Sequence, residues 1–173
     1  TDEGWVVRLV DESAPQPGEE VVAQLIANDS ASLHQAAAQL NLCDVAILQH
    51  EYGVYGGADG SEILDLLDEV QVPCVVVLHT VLTDPTPHQR QVLESVLAKA
   101  DAVVAMTMTA RERLAAGYAV DITKVCIIAH GAPAVETTMA EPTFRTGQFT
   151  VLTWGLLGPG KGIEWAIDAM ALL

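Results

Sequence analysis

Positive charge is what this chain has least of. Its 173 residues hold 8 Lys and Arg against 23 Asp and Glu, for a net charge of −15. That balance argues against nucleic acid as a partner, because neutralising a phosphate backbone needs cations in number. Long apolar runs are also missing. None reaches the roughly 18–20 residues of a membrane span, and no basic, apolar, small-residue sequence marks a signal peptide. Cysteine is scarce: Cys43, Cys74 and Cys126 are odd in number, widely spaced and set among apolar neighbours. Without a CxxC, zinc ribbons and thioredoxin chemistry are disfavoured. The expectation is three buried, reduced thiols in a cytoplasmic protein. There is no GxSxG elbow for a Ser-His-Asp hydrolase and no HExxH pair for zinc. Internal repeats and low-complexity tracts are absent too.

What is present points to a layered α/β chain. Half the residues are hydrophobic and 18% are charged, which is enough for a well-buried core. Apolar runs at Trp5–Val10, Glu20–Ala27, Asp44–Gln49, Pro73–Leu78, Asp101–Met106 and Val125–Ala129 read as strands. The Asp44–Gln49 run (DVAILQ) is continuous, as in a strand covered on both faces. Between the runs, apolar residues recur at helical spacing. Ser30 can cap the first helix, which carries Leu33, Ala36, Ala37 and Leu40. Asp59-Gly-Ser-Glu62 resembles a capping box for the second, Thr86 with Pro87 and Gln89 gives a cap for the third, and Thr109 with Glu112 gives one for the fourth, stopped at Gly117. Alternating strands and helices imply a parallel, doubly wound sheet.

Domain organisation follows. Residues 1–132 form one α/β domain and 133–147, rich in Pro, Thr and Gly, read as a linker. Residues 148–173 then read as the strand, glycine-rich turn and helix that begin a second unit of similar type. The chain starts at Thr1 without Met and stops at Leu173 inside a helical pattern, so the expectation is a piece cut at both ends.

Two features carry chemistry. Three strands are each followed at once by a histidine: His50, His79 and His130. Ligands of an open parallel sheet bind at the carboxyl ends of its strands, so these residues, with Glu51 and the Gly56–Gly57 loop, would share one edge. Their separation in sequence disfavours a metal site. The second feature is Gly155-Leu-Leu-Gly-Pro-Gly-Lys-Gly162. Its glycines allow close backbone approach, the following helix start attracts anions, and Lys161 adds a charge. It also fits an ordinary strand-to-helix turn with a solvated lysine. The pattern matches GxxxxGK, but Gly162 stands where a P-loop needs Ser or Thr for magnesium, which disfavours an NTPase. Gly158, Gly160 and Gly162 give GxGxG, not the GxGxxG of a dinucleotide fold, so an NAD-dependent enzyme is a weak match.

Together HEYGVYGGADG (His50–Gly60), VVVLHT, IIAHGAP and VLTWGLLGPGKGIEWAIDAM resemble glycosyltransferase family 4, in the branch carrying GLL(S/G)PGKGIE. The resemblance runs over nearly the whole chain from about Trp5. It implies the GT-B architecture, two Rossmann-like domains across a cleft, and a retaining, metal-independent transfer from a nucleotide-sugar donor that serves as substrate, with no cofactor. It implies Lys161 and the glycines 158, 160 and 162 at the donor diphosphate, and His79 at the reacting centre. It also implies His130 and Gly131 at the interdomain hinge, and His50, Glu51, Gly56 and Gly57 on the acceptor side. The acceptor would be a sugar, lipid or small molecule, and the resemblance leaves room for peripheral membrane contact outside these residues. Leu156 departs from the family, many of whose members have arginine there. The family's Glu-rich donor motif would lie beyond Leu173 and its first glycine loop before Thr1, so the piece alone is expected to be inactive. A non-catalytic α/β module binding a nucleotide or phosphosugar is the alternative.

Overall fold

Six of the apolar runs become strands, and every pairing between them is parallel. The computed structural model describes residues 3–15, 18–131, 151–153, 155, 158 and 161–172. The chain divides into two compact units, Thr1–Gly131 and Ala132–Leu173.

In the first unit, β1 (Val6–Val10) pairs with β2 (Val21–Ile26). A second sheet has the order β3 (Ala46–His50), β4 (Cys74–Leu78), β5 (Ala102–Ala105) and β6 (Val125–Ile127). Helix α1 (Ser30–Leu40) leads from β2 towards β3, and α2 (Ile63–Glu69), α3 (Pro87–Lys99) and α4 (Met108–Gly117) make the crossings from β3 to β6. Parallel neighbours need such crossovers, because a tight hairpin can only reverse the chain. The result is a Rossmann-like α/β fold, as the alternation of runs implied.

Register decides which side chains are covered. Leu48 aligns with Val76, Val76 with Val103, and Val103 with Val125. These residues are buried, in one cluster with Ala37 of α1, Leu66 of α2, and Leu93 and Val96 of α3. The opposite row is different: Ile47 is 60% exposed and Val75, Val77 and Val104 are half-buried. The expectation that β3 is covered on both faces is therefore corrected, since its burial alternates residue by residue. An apolar run records that a strand resists water, not how many layers cover it. The same register corrects the reading of the thiols. Cys74 lies in the buried row, Cys126 pairs with Val104 in the other and is exposed, and Cys43 is half-buried.

Caps account for the helix starts. Thr86 and Gln89 form the expected capping box on α3, with Pro87 in the first turn. Elsewhere the cap shifts. Asp29, not Ser30, caps α1, its Oδ1 accepting from Ala31 N at 2.9 Å. Thr107, not Thr109, caps α4 and accepts from Ala110 N at 3.0 Å. An N-cap needs extended backbone as well as a short polar side chain; Asp29 and Thr107 have it, while their rivals lie inside the helix. Asp59 adopts a left-handed conformation in a 3₁₀ turn (Ala58–Gly60) and does not cap α2.

In the second unit, α5 (Ile163–Met170) forms where helical spacing indicated. Val151–Thr153, read as part of a strand, have no strand pairing. A strand needs a neighbour to satisfy its backbone. The remainder of that strand, Gly160 and the linker reading of 133–147 lie outside the described residues. Among the described residues no helix is long and apolar enough to cross a membrane.

Candidate functional site

The three histidines look equivalent in sequence, but the sheet separates them. His50 ends β3 and aligns with Leu78, in the buried row. It is 1% exposed, and its Nδ1 has no hydrogen-bond partner among the described residues. Its ring meets Tyr52 edge-on, with centroids 5.3 Å apart. Burial pushes the His50 pKa down from its ordinary value, with Glu51 opposing the shift. His50 thus sits beneath the edge rather than on it. The Tyr52 hydroxyl is buried and has no hydrogen-bond partner within normal distance among the described residues; burial first, and then the nearby Tyr118, raise its pKa.

His79 follows β4 one position later and is exposed. Its backbone N–H extends the ladder to the His50 carbonyl at 3.0 Å, and its Nε2 lies 2.7 Å from Gln49 Oε1. An amide oxygen only accepts, so with this amide orientation Nε2 is the donor to Gln49. His130, beyond β6, is exposed and its ring centre lies 6.1 Å from that of His79 at a tilt of 60°. Of the three histidines, His79 and His130 are the two that come together at the carboxyl edge.

Glu51 is engaged by protein. One oxygen accepts from Tyr52 N at 3.0 Å and the other from the Thr80 hydroxyl, so the side chain straps the loop after β3 to the loop after β4. Local geometry also accounts for the glycine pair. A Cβ on Gly56 would stand 2.8 Å from the Asn28 backbone N, and Gly57 has φ 77°, with its N–H on Asn28 Oδ1 at 3.3 Å. At Gly131 and Gly158 no atom of the described residues stands within 4 Å of where a Cβ would be. In the second unit, Gly162 takes a left-handed conformation (φ 70°) at the start of α5, and the Lys161 N–H donates to the Gly158 carbonyl at 3.3 Å. The Lys161 side chain is exposed.

Several residues that shape the edge were not anticipated. Gln49, the one polar residue of Val45–Gln49, orients His79; that isolation within VAILQ was the available signal. Arg113 donates to the Val81 carbonyl at 3.1 Å and the Tyr118 hydroxyl to the Leu82 carbonyl at 2.8 Å, tying down the loop that carries His79. Asp59 Oδ2 lies 2.7 Å from His88 Nδ1, and Asp59 Oδ1 accepts from Gln89 Nε2 at 3.3 Å. Partners so far apart in sequence leave no local pattern.

Two exposed imidazoles, one held by an amide, can donate to an anionic oxygen or exchange a proton with a hydroxyl. Among the described residues no three His, Cys, Asp or Glu side chains converge to hold a metal ion. Comparison with models of protein families, with curated proteins and with solved structures finds no match to this chain.

Proposed function

We propose that this chain is the acceptor-side domain and the beginning of the donor-side domain of a retaining glycosyltransferase. It would move a sugar from a nucleotide-sugar donor to an acceptor without a metal. The observation that carries this reading is the meeting of His79 and His130, with centroids 6.1 Å apart, at the carboxyl edge of a parallel sheet. Ligands of such sheets bind at that edge. The order of motifs in the sequence supports the same reading.

Transfer breaks the bond between the sugar's anomeric carbon and the diphosphate, and negative charge grows on the departing oxygen. Lys161 and the first N–H groups of α5 are the groups suited to stabilise that charge. His79, its ring oriented by Gln49, is suited to hydrogen-bond at the reacting centre. The scarcity of cations in an acidic chain favours a small anionic donor over a polyanion.

The test is steady-state kinetics of nucleoside-diphosphate release by the intact enzyme across a panel of nucleotide sugars. His79→Ala is expected to lower kcat by about 10²-fold or more with a smaller change in donor affinity. Lys161→Ala is expected to raise the donor KM and slow transfer. Full turnover in His79→Ala would reject the role at the reacting centre. Donor binding without any turnover in the parent would favour a non-catalytic sugar-nucleotide-binding module.

A further inference from the structure

The carboxyl ends of β1 and β2 face the loop that follows β3 across a cavity of about 230 Å³. Its apolar lining includes Leu9, Leu25 and Tyr55, whose hydroxyl is already committed to the Gln49 carbonyl at 3.1 Å. The ionisable groups in the lining are Asp11, just past β1, and Glu62, just before α2; no Lys, Arg or His stands among the described residues that line it. Glu62 Oε2 accepts from the Asn28 backbone N–H at 3.1 Å, which anchors the carboxylate. Its second oxygen remains able to accept. Asp11 is exposed.

Ionised carboxylates only accept hydrogen bonds, so a ligand that engages these two side chains has to donate. Hydroxyl and ammonium groups do so, whereas a phosphate or carboxylate would meet two like charges on a chain of net charge −15. The volume lies below the roughly 300 Å³ at which drug-sized pockets begin, and so suits a monosaccharide-sized molecule. Apolar walls beside carboxylates match the two kinds of surface that a sugar ring presents.

We infer that this cavity binds a hydrogen-bond-donating polyol without negative charge, a neutral or amine-bearing sugar, and rejects its phosphorylated counterpart. The inference rests on the proposed transferase reading only in making that ligand the acceptor.

The experiment is a backbone-amide NMR titration of the protein at low ionic strength with three probes: D-glucose, D-glucosamine and glucose 6-phosphate. Glucose and glucosamine are expected to shift the amides of Gly53, Val54 and Gly56, glucosamine binding several-fold more tightly, while glucose 6-phosphate leaves them unmoved. The double variant Asp11→Asn with Glu62→Gln should lose the preference for the amine and admit the phosphate ester. Glutamine keeps an oxygen for the Asn28 N–H, so the loop's anchor survives the change. Equal binding of glucose 6-phosphate, no shift with any probe, or an unchanged preference in the double variant would each overturn the inference. Nucleotide-sugar turnover is measured separately. Sugar selectivity in a protein that turns over no donor removes only the acceptor role, and turnover alongside a preference for the phosphate ester removes only the cavity's proposed selectivity.

Discussion

His50 shows how much a single register position decides. In the folded chain it is sealed against Tyr52, and burial lowers its pKa below the ordinary 6.5. The unfolded chain therefore takes up a proton near pH 6.5 that the folded chain refuses. Stability from this group is complete above 6.5 and falls with pH until the lower folded value is passed. One proton limits the slope to about 1.4 kcal/mol per pH unit. Urea unfolding at neutral pH and about one unit below 6.5 should show this loss, and His50→Phe should flatten it. An unflattened slope would mean that other groups carry the dependence. In sequence, His50 and His79 both follow apolar runs and nothing separates their roles. The ladder does, by aligning His50 with Leu78 and so leaving His79 beyond the strand. That His79 follows a strand end was legible from the sequence because the apolar run of β4 stops just before it. Its supporting bonds, from Gln49, Arg113 and Tyr118, were not, because they join residues distant in the chain.

Among the elements, α3 had the most readable start. The Thr86 hydroxyl accepts from Gln89 N at 3.2 Å, and the Gln89 side chain accepts from Thr86 N at 2.9 Å. Thr86→Ala should cost about 1 kcal/mol, read as a lower urea midpoint with an unchanged slope. An unchanged midpoint would show that α3 is held by its buried face alone. The α1 and α4 caps were misplaced by one and two residues because neighbouring polar residues compete and backbone conformation, which decides between them, is not written in composition. Helix α5 formed as its spacing indicated, yet its Trp165 is 73% exposed and Ile167 is exposed as well. Periodicity reports which face is apolar, and what covers that face is a separate fact.

At the scale of the whole molecule, net charge is the property most plainly written in the sequence. With 23 acidic groups against 8 Lys and Arg, self-repulsion opposes compaction, and added salt screens it. Thermal unfolding should therefore move to higher temperature between about 10 mM and 150 mM ionic strength, where the Debye length falls from roughly 30 Å to 8 Å. A flat or falling midpoint would mean that attractive pairs such as Arg90–Glu94 and Lys99–Asp68 outweigh the net repulsion. The alternation of strands and helices was legible because each period is local. The partly exposed row along β3–β6 was not, because layer number depends on what the rest of the chain brings to it. The all-parallel order also governs time. No ladder of the larger sheet can begin until the chain has closed from Ala46 to Cys74, from Val75 to Ala102, or from Val103 to Val125. Each closure spends loop entropy before any backbone bond repays it. This first unit should accordingly fold in about milliseconds or longer, not in the microseconds of a helical bundle, and its apolar strands remain open to other chains for that interval.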